Sequence, residues 1–172
     1  MKFERVIKII GSAGNCHHYI ADDRQFLATA LATYEISGMA QLDKQSITML
    51  AGKEVDYQPE YGLPAVCVIP ESREEPLYRF KDVHSINGIE VFCTDNDVIM
   101  VDGYYFRPFA DDKQYTYTLA TEYGHKIVIV REGVFFCGAI LVRKHDYTAD
   151  IVRIAELLRA NEEQEEREQV DD

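Results

Sequence analysis

The sequence lacks the features that mark several large classes of protein. It has no run of about 18 apolar residues, so no membrane-spanning helix is expected, and the residues after Met1 do not form the apolar core of a signal peptide. Lys and Arg number 18 against 30 Asp and Glu, a net charge of −12, which disfavours a broad nucleic-acid-binding face. The four cysteines include no CxxC pair, so we expect reduced thiols in a cytoplasmic protein.

The composition is otherwise that of an average folded domain. Hydrophobic residues make up 47 % of the 172-residue chain and charged residues 28 %, which suits one domain with a buried core. The charge is uneven, because residues 161–172 hold seven acids against Arg167 alone and carry half of the net charge. We predict one globular domain over residues 1–160 and an acidic tail over residues 161–172, which is either a solvated chain end or a docking segment.

The N-terminal third predicts one strand and a helical hairpin. Residues 2–10 alternate and are rich in β-branched side chains, which favours a strand. The spacing of Leu27, Leu31 and Tyr34 fits one face of a helix over residues 23–37. Asp43 can cap a second helix over residues 43–51, which Gly52 ends. Residues 54–64 have the composition of a loop.

The remainder predicts an antiparallel meander of about seven strands, packed by a C-terminal helix. Asn87-Gly88 and Asp102-Gly103 are two-residue hairpin signals, and short connections of this kind imply antiparallel pairing. The last helix begins near residue 146 and carries an apolar stripe that includes Tyr147 and Ile151. The predicted strands cover residues 65–69, 77–86, 89–93, 98–101, 104–109, 115–120, 126–131 and 134–142.

This α+β order of elements is similar to the helix-grip arrangement of the START and Bet v 1-like proteins. In that arrangement a curved sheet grips the last helix around an apolar cavity. The resemblance covers the element order along most of the chain and includes no motif, since Tyr61-Gly62-Leu63-Pro64 replaces the glycine-rich loop of the plant members. It therefore implies a fold, and function has to be argued from a site.

Aromatic and arginine side chains form the main candidate for a binding surface. Tyr104, Tyr105 and Arg107 lie in one predicted strand, and Tyr115 and Tyr117 lie in the next. In a strand, Tyr105 and Arg107 would share one face and Tyr104 would point to the other. Exposed Tyr and Arg are typical of interaction hot spots, although cross-strand aromatic pairs also stabilise a sheet without any partner. We predict that these five residues bind another protein.

The predicted helical hairpin offers a nucleic-acid-binding alternative. Its two helices have roughly the lengths of a helix-turn-helix motif, whose second helix would present Lys44, Gln45, Ser46 and Thr48 to base edges. Lys44 is the one cation of that helix, whereas DNA-binding domains normally carry several. This alternative therefore ranks behind protein binding.

Cys16-His17-His18 is the one cluster with ligand or nucleophile chemistry. It supplies three groups that zinc accepts, but no second close pair of ligands is evident in the sequence. A thiolate–imidazole pair would need an orienting group that the spacing does not reveal. No metal, cofactor or catalytic residue is predicted, and a chemical role for these three residues stays open.

Together these patterns favour a small acidic binding protein that is not an enzyme. Its expected partner is another protein, which it would regulate or inhibit, as do small proteins encoded by phages and mobile elements. The first alternative is a binder of small apolar ligands, with a cavity between the sheet and the C-terminal helix. The second is the helix-turn-helix DNA-binding regulator.

Overall fold

The computed structural model describes residues 1–36, 38–79, 88–95, 97–110 and 114–143. Within these ranges the chain forms two α-helices, three short 3₁₀ helices and ten strands. The helices are α1 (Phe3–Ala13), α2 (Lys44–Ala51), η1 (Ala65–Val68), η2 (Glu71–Arg73) and η3 (Gly103–Phe109). The strands are β1 (Asn15–Ala21), β2 (Arg24–Ala28), β3 (Ala32–Ile36), β4 (Asp56–Tyr61), β5 (Glu74–Arg79), β6 (Ile89–Cys93), β7 (Val98–Asp102), β8 (Thr116–Glu122), β9 (His125–Glu132) and β10 (Phe135–Leu141).

The ten strands form one mixed sheet in the order β4-β1-β2-β3-β10-β9-β8-β5-β6-β7. β1 and β4 are parallel, with Cys16 opposite Tyr57, and the other described pairs are antiparallel. β10 joins the two halves of the sheet, because it pairs with β3 on one side and with β9 on the other. The N-terminal and C-terminal halves therefore share one continuous surface.

The two faces of the sheet have different coverings. On the first face, α1, α2 and η3 enclose the larger core, which includes Val128 and Val130 of β9. Because side chains alternate along a strand, Ile127 and Ile129 lie on the second face, where they pack in a smaller cluster with Ile69. The chain reaches Ile69 on its way from the edge strand β4 to β5, so the segment with η1 and η2 crosses the second face.

This architecture contradicts the predicted fold. The N-terminal strand over residues 2–10 is instead helix α1, and the predicted helix over residues 23–37 is instead the strand pair β2 and β3. The helical hairpin is therefore wrong, and the helix-grip order is wrong with it. A ten-stranded mixed sheet replaces the seven-strand meander.

Helix α1 follows from a spacing that the strand interpretation overlooked. Phe3, Val6, Ile7 and Ile10 recur at intervals of three and four residues, which places them on one side of a helix. Val6, Ile7 and Ile10 are buried there. β-branched residues lower helix propensity only slightly, so burial of this apolar side outweighs their preference for strands. Gly14 ends the helix in a left-handed conformation.

Strands β2 and β3 are buried on both faces, which removed the alternation that identifies a strand. The polar Gln25 and the apolar Phe26, Leu27 and Ala28 are all buried, so this run shows no alternation of polar and apolar residues. The chain turns at Thr29, whose Oγ1 accepts hydrogen bonds from the amides of residues 31 and 32 at 3.2 Å. That side-chain turn ends β2 in the middle of the predicted helix.

Several other local predictions are corrected. Residues 54–64 contain strand β4, an edge strand that tolerates Pro59. Residues 65–69 and 104–109 form the 3₁₀ helices η1 and η3 instead of strands. The strand over residues 89–93, the helix capped by Asp43 and the meander of β8, β9 and β10 are confirmed.

The strand predicted over residues 77–86 is described only as far as Arg79, in β5, and several other predictions lie outside the described residues. They are the turn at Asn87, the C-terminal helix from residue 146 and the acidic tail over residues 161–172. The cavity predicted between the sheet and that last helix lies there too. Among the helices that the structure describes, none combines the length and apolar character needed to cross a membrane.

Candidate functional site

The tyrosine and arginine residues predicted to bind a partner converge on η3. This helix begins where the Asp102 carboxylate accepts a hydrogen bond from the Tyr104 amide at 2.9 Å, as in a helix N-cap. Helix α1 holds it from outside, because the Lys2 amide donates to the Pro108 carbonyl at 2.8 Å and the Arg5 guanidinium donates to the Arg107 carbonyl at 2.7 Å. Contacts from distant parts of the chain therefore fix η3.

The predicted grouping of side chains along residues 104–107 is wrong. A strand would separate Arg107 from Tyr104, but a 3₁₀ helix has three residues per turn and brings them together. The Arg107 guanidinium carbon lies 4.9 Å from the centroid of the Tyr104 ring, which is a cation–π contact. Tyr105 lies edge-on to Tyr104 at 5.5 Å, and its carbonyl accepts a hydrogen bond from the buried Tyr34 hydroxyl.

The two tyrosines beside β8 serve mainly as packing. The Tyr115 ring meets Phe109 at 5.5 Å. The Tyr117 ring lies 5.1 Å from Phe92 and 6.2 Å from Phe106. Both tyrosines are half-buried against the first-face core, so much of the aromatic cluster stabilises the sheet.

A small pocket opens beside η3 and contains three of the five predicted residues. Its volume is about 170 Å³, and Tyr104, Arg107 and Tyr117 line it together with Arg79 and Glu90. Tyr105 and Tyr115 are not among the described residues that line it. We call this cavity the η3 pocket.

The η3 pocket contains an ion pair between a half-buried arginine and a buried glutamate, which sequence reasoning missed. Arg79 on β5 contacts Oε2 of Glu90 on β6 through both Nε, at 2.9 Å, and Nη2, at 2.7 Å, and Glu90 is only 8 % exposed. Burial raises the pKa of the neighbouring Tyr117 hydroxyl, while the positive charge of Arg79 opposes that rise. An ion pair with a buried carboxylate is weak evidence for a contribution to protein stability. Because the pair lines a pocket, both side chains are instead candidates for binding.

No sequence signal pairs Arg79 with Glu90. A two-residue hairpin at Asn87-Gly88 would place Arg79 opposite residue 96, whereas the observed register places it opposite Phe92. Residues 80–87 lie outside the described residues, and a single sequence contains no rule that fixes strand register across a connection of that length.

Gly103 allows the close approach that forms one wall of the η3 pocket. Its amide donates to the Gly88 carbonyl at 2.6 Å, and a Cβ atom at this position would lie 2.6 Å from that same oxygen. Since the clash would be with backbone, a larger residue cannot be accommodated by a rotamer change. The glycine predicted to make a hairpin turn therefore serves instead to join η3 to β6.

The residues of the nucleic-acid-binding alternative lie on α2. Lys44 and Gln45 are exposed, whereas Ser46 and Thr48 are half-buried. The Asp43 carboxylate accepts hydrogen bonds from both the amide and the hydroxyl of Ser46, so Ser46 belongs to the helix cap. The first helix of the predicted motif does not exist, which removes the helix-turn-helix framework; contact of these four residues with bases stays a prediction.

The side chains of Cys16-His17-His18 do not act as one cluster. Strand alternation places Cys16 and His18 on the first face and His17 on the second. Burial raises the pKa of the Cys16 thiol to about 12, so it is not a thiolate at neutral pH. His17 instead meets Glu60 of β4, with 2.7 Å between Nδ1 and Oε1.

His18 belongs to a buried hydrogen-bond network. The Gln25 side-chain NH2 group donates to the carbonyls of residues 39 and 40, so Gln25 Oε1 is the atom that faces His18 Nε2, at 3.2 Å. It accepts a hydrogen bond from the Nε2–H group. His18 Nδ1 then accepts from the Tyr57 hydroxyl at 2.8 Å. Burial lowers the pKa of His18, and the network fixes its neutral tautomer and ties β4 to β1.

The η3 pocket thus offers recognition groups of two kinds. Arg79 and Arg107 provide guanidinium donors against the single carboxylate of Glu90, a net charge of +1 for the described charged side chains of the lining. Tyr104 and Tyr117 provide aromatic walls. Comparison of the chain with family models, with curated proteins and with solved structures found no match, so this geometry is the basis for assigning a function.

Proposed function

We propose that this chain is a protein-binding module, and that its partner inserts an acidic side chain into the η3 pocket. The observation that carries the proposal is the pocket beside η3, in which Arg107 stacks on Tyr104 at the rim. Clusters of Tyr and Arg around a pocket are typical of interaction hot spots. Such a protein acts by binding, as a regulator or inhibitor of its partner.

The volume of the pocket favours a side chain over a small molecule. Small-molecule sites usually measure roughly 300–1,000 Å³, and the η3 pocket holds about 170 Å³. That space suits one anchoring side chain with the rest of the partner lying across η3 and α1. The net charge of +1 in a protein of net charge −12 favours a carboxylate as the anchoring group.

The four cysteines are consistent with a cytoplasmic place of action. All four are free thiols in the structure, and thiols of this kind are typical of reducing compartments.

The test compares two charge-reversal variants in capture experiments from a lysate of the native host. Arg107→Glu changes the charge at the η3 pocket, and Arg73→Glu makes the same change at an exposed position of η2 outside the pocket. Quantitative mass spectrometry should find a protein captured by the wild type and by Arg73→Glu but lost with Arg107→Glu. The free energy of unfolding should fall by no more than about 1 kcal/mol, because Arg107 is exposed and the variant loses one cation–π contact with Tyr104.

A photo-crosslinking amino acid gives an independent readout. Placed at Ala110, an exposed residue of the pocket lining, it leaves Arg107 unchanged and should form an adduct with the same protein. Placed at Tyr123, which is 92 % exposed on the β8–β9 turn, it should not. If Arg107→Glu captures every protein that the wild type captures, the assignment of the η3 pocket is wrong.

A further inference from the structure

A second and larger cavity lies on the other side of the sheet. It measures about 570 Å³, within the usual range for small-molecule sites. The strands contribute Arg24, Glu35 and Arg131, and Cys67 of η1 closes it from the crossing segment. We call it the second-face cavity. It shares no lining residue with the η3 pocket, so its ligand is a separate question from the partner proposed above.

Two guanidinium groups of this cavity are held in the same way. Nε and Nη2 of Arg24 donate to the two carboxylate oxygens of Glu35 at 3.0 and 2.6 Å. Nε and Nη2 of Arg131 donate to the two oxygens of Glu74 at 3.3 and 2.6 Å. A planar guanidinium group whose Nε and Nη2 are both bound by one carboxylate has a fixed orientation, and its Nη1 group can donate to another acceptor. Among the described residues, the partner of Arg131 Nη1 is the exposed carboxylate of Glu71, at 3.8 Å.

The mouth of the cavity is apolar and exposed. Val134 is 79 % exposed and Phe135 is 73 % exposed, and both line the cavity with the half-buried Phe136. The Phe136 ring packs edge-on against Phe26 at 6.2 Å, and the Arg24 guanidinium lies over the Phe26 ring, 4.9 Å from its centroid. Apolar contact surface and guanidinium donors therefore adjoin within one cavity.

The balance of charge decides which ligand fits. The Nη1 donors favour an anionic group, but carboxylates outnumber the two arginines around the cavity, because Asp23 and Glu35 line it and Glu74 pairs with Arg131. The exposed Glu71 adds further negative charge nearby. A ligand with net negative charge would be opposed by these carboxylates, and a purely cationic ligand would offer no acceptor to the Nη1 groups of the two arginines. A zwitterion satisfies both.

We propose that the second-face cavity binds a free amino acid with an apolar side chain. The carboxylate of the ligand meets the Nη1 groups of Arg24 and Arg131, and its ammonium group faces Asp23 at the rim. Its side chain packs on Val134, Phe135 and Phe136. Phenylalanine and leucine represent the class.

Three closely related probes distinguish the possible charge types. Phenylalanine is the zwitterion, phenylpropanoate lacks the ammonium group, and phenethylamine lacks the carboxylate. In a titration followed by the amide resonances of Gly38, Cys67 and Phe135, phenylalanine should saturate at millimolar concentration, and each analogue should bind at least about tenfold more weakly, the usual loss for one charged hydrogen bond. Absence of shifts with phenylalanine and leucine, or equal affinity for either analogue, would overturn the proposal.

Two exposed positions allow variants that keep the buried ion pairs intact. Asp23→Asn removes the carboxylate expected to face the ammonium group, and Phe135→Ser removes apolar surface at the mouth; each should weaken phenylalanine binding about tenfold. Tyr123→Ser is the control, because Tyr123 is an aromatic residue that is even more exposed than Phe135 and does not line the cavity; this variant should leave binding unchanged. Equal affinity in all three variants would show that the ligand binds elsewhere.

Discussion

Replacing Gly138 with alanine should destabilise the protein, because other groups occupy the space that a Cβ atom needs. Gly138 lies in β10, where that strand pairs with both β3 and β9. An added Cβ would lie 2.7 Å from Cζ of Phe109 and 2.8 Å from the carbonyl oxygen of Thr33. The Phe109 ring can tilt away, but the Thr33 oxygen belongs to the backbone of β3 and moves only with the strand.

The expected cost is that of overpacking a core, about 1–3 kcal/mol. For a chain of this size, each 1 kcal/mol corresponds to roughly 2–4 °C in melting temperature, so the fall should be about 2–12 °C. Because Phe109 ends η3 and packs on Tyr115, the variant should also loosen the η3 pocket. Urea denaturation followed by circular dichroism measures the first effect, and capture of the partner measures the second.

A second glycine supplies the control for this prediction. Gly11 is buried inside α1, and a Cβ there would lie 3.4 Å from Ala51, an ordinary contact distance. Gly11→Ala should stabilise the protein by about 0.5–1 kcal/mol, because alanine loses less backbone entropy than glycine in a helix. If Gly138→Ala is as stable as the wild type or more stable, the packing described around β10 is wrong; if Gly11→Ala is destabilised, the contact described between α1 and Ala51 is wrong.

Three further predictions address groups buried in the sheet. Burial lowers the pKa of His18 below its ordinary value of 6.5, so the unfolded chain binds a proton that the folded protein does not, and stability falls as the pH drops through 6.5. In urea titrations at several pH values, His18→Gln should lack this part of the decline. A pH profile identical to that of the wild type would refute the role of His18. Tyr34→Phe removes the 2.9 Å hydrogen bond to the Tyr105 carbonyl and should cost about 1 kcal/mol in denaturant titrations, whereas a stability equal to that of the wild type would mean that this bond contributes nothing. Arg131→Met leaves the Glu74 side chain, which is 4 % exposed, without its ion-pair partner and should lower the free energy of unfolding by about 3–5 kcal/mol. In calorimetry, the double variant with Glu74→Leu should recover most of this stability. If the double variant is as unstable as Arg131→Met, an unpaired charge does not explain the loss.

The sequence predicted those strands that one local signal defines. The strands predicted over residues 126–131 and 134–142 leave a short connection that contains Gly133, and β9 and β10 pair on either side of Gly133-Val134. The run at 23–37 gave no such signal, because β2 and β3 are buried on both faces and their alanines and leucines also suit a helix. Residues 2–10 satisfy both periods, and only the available partner, the first face of the sheet, selects a helix there.

The candidate site was predicted in part for a similar reason. Composition alone drew attention to Tyr104, Arg107 and Tyr117, and these three residues do share a pocket. Their arrangement followed from a 3₁₀ helix that Asp102 caps and α1 supports, which no pattern within residues 104–109 reveals. Arg79 reaches Glu90 through strand register, and register is a property of the folded sheet.

The two proposed sites lie on opposite faces of one sheet, so each can be changed without altering the other. Variants at each site can therefore test whether the two sites are coupled. Distant sites without shared contacts normally behave additively, so Arg107→Glu should leave phenylalanine binding unchanged and Phe135→Ser should leave partner capture unchanged. A coupled result would have a definite meaning, because linkage is reciprocal: if phenylalanine alters the affinity for the partner, the partner must alter the affinity for phenylalanine by the same factor. The sheet offers a route for such coupling, since Arg131 of the second-face cavity lies on β9, directly opposite Thr116 at the start of the strand that carries Tyr117. Measured reciprocity would identify the amino acid as a regulator of partner binding, and additivity would identify two independent binding functions.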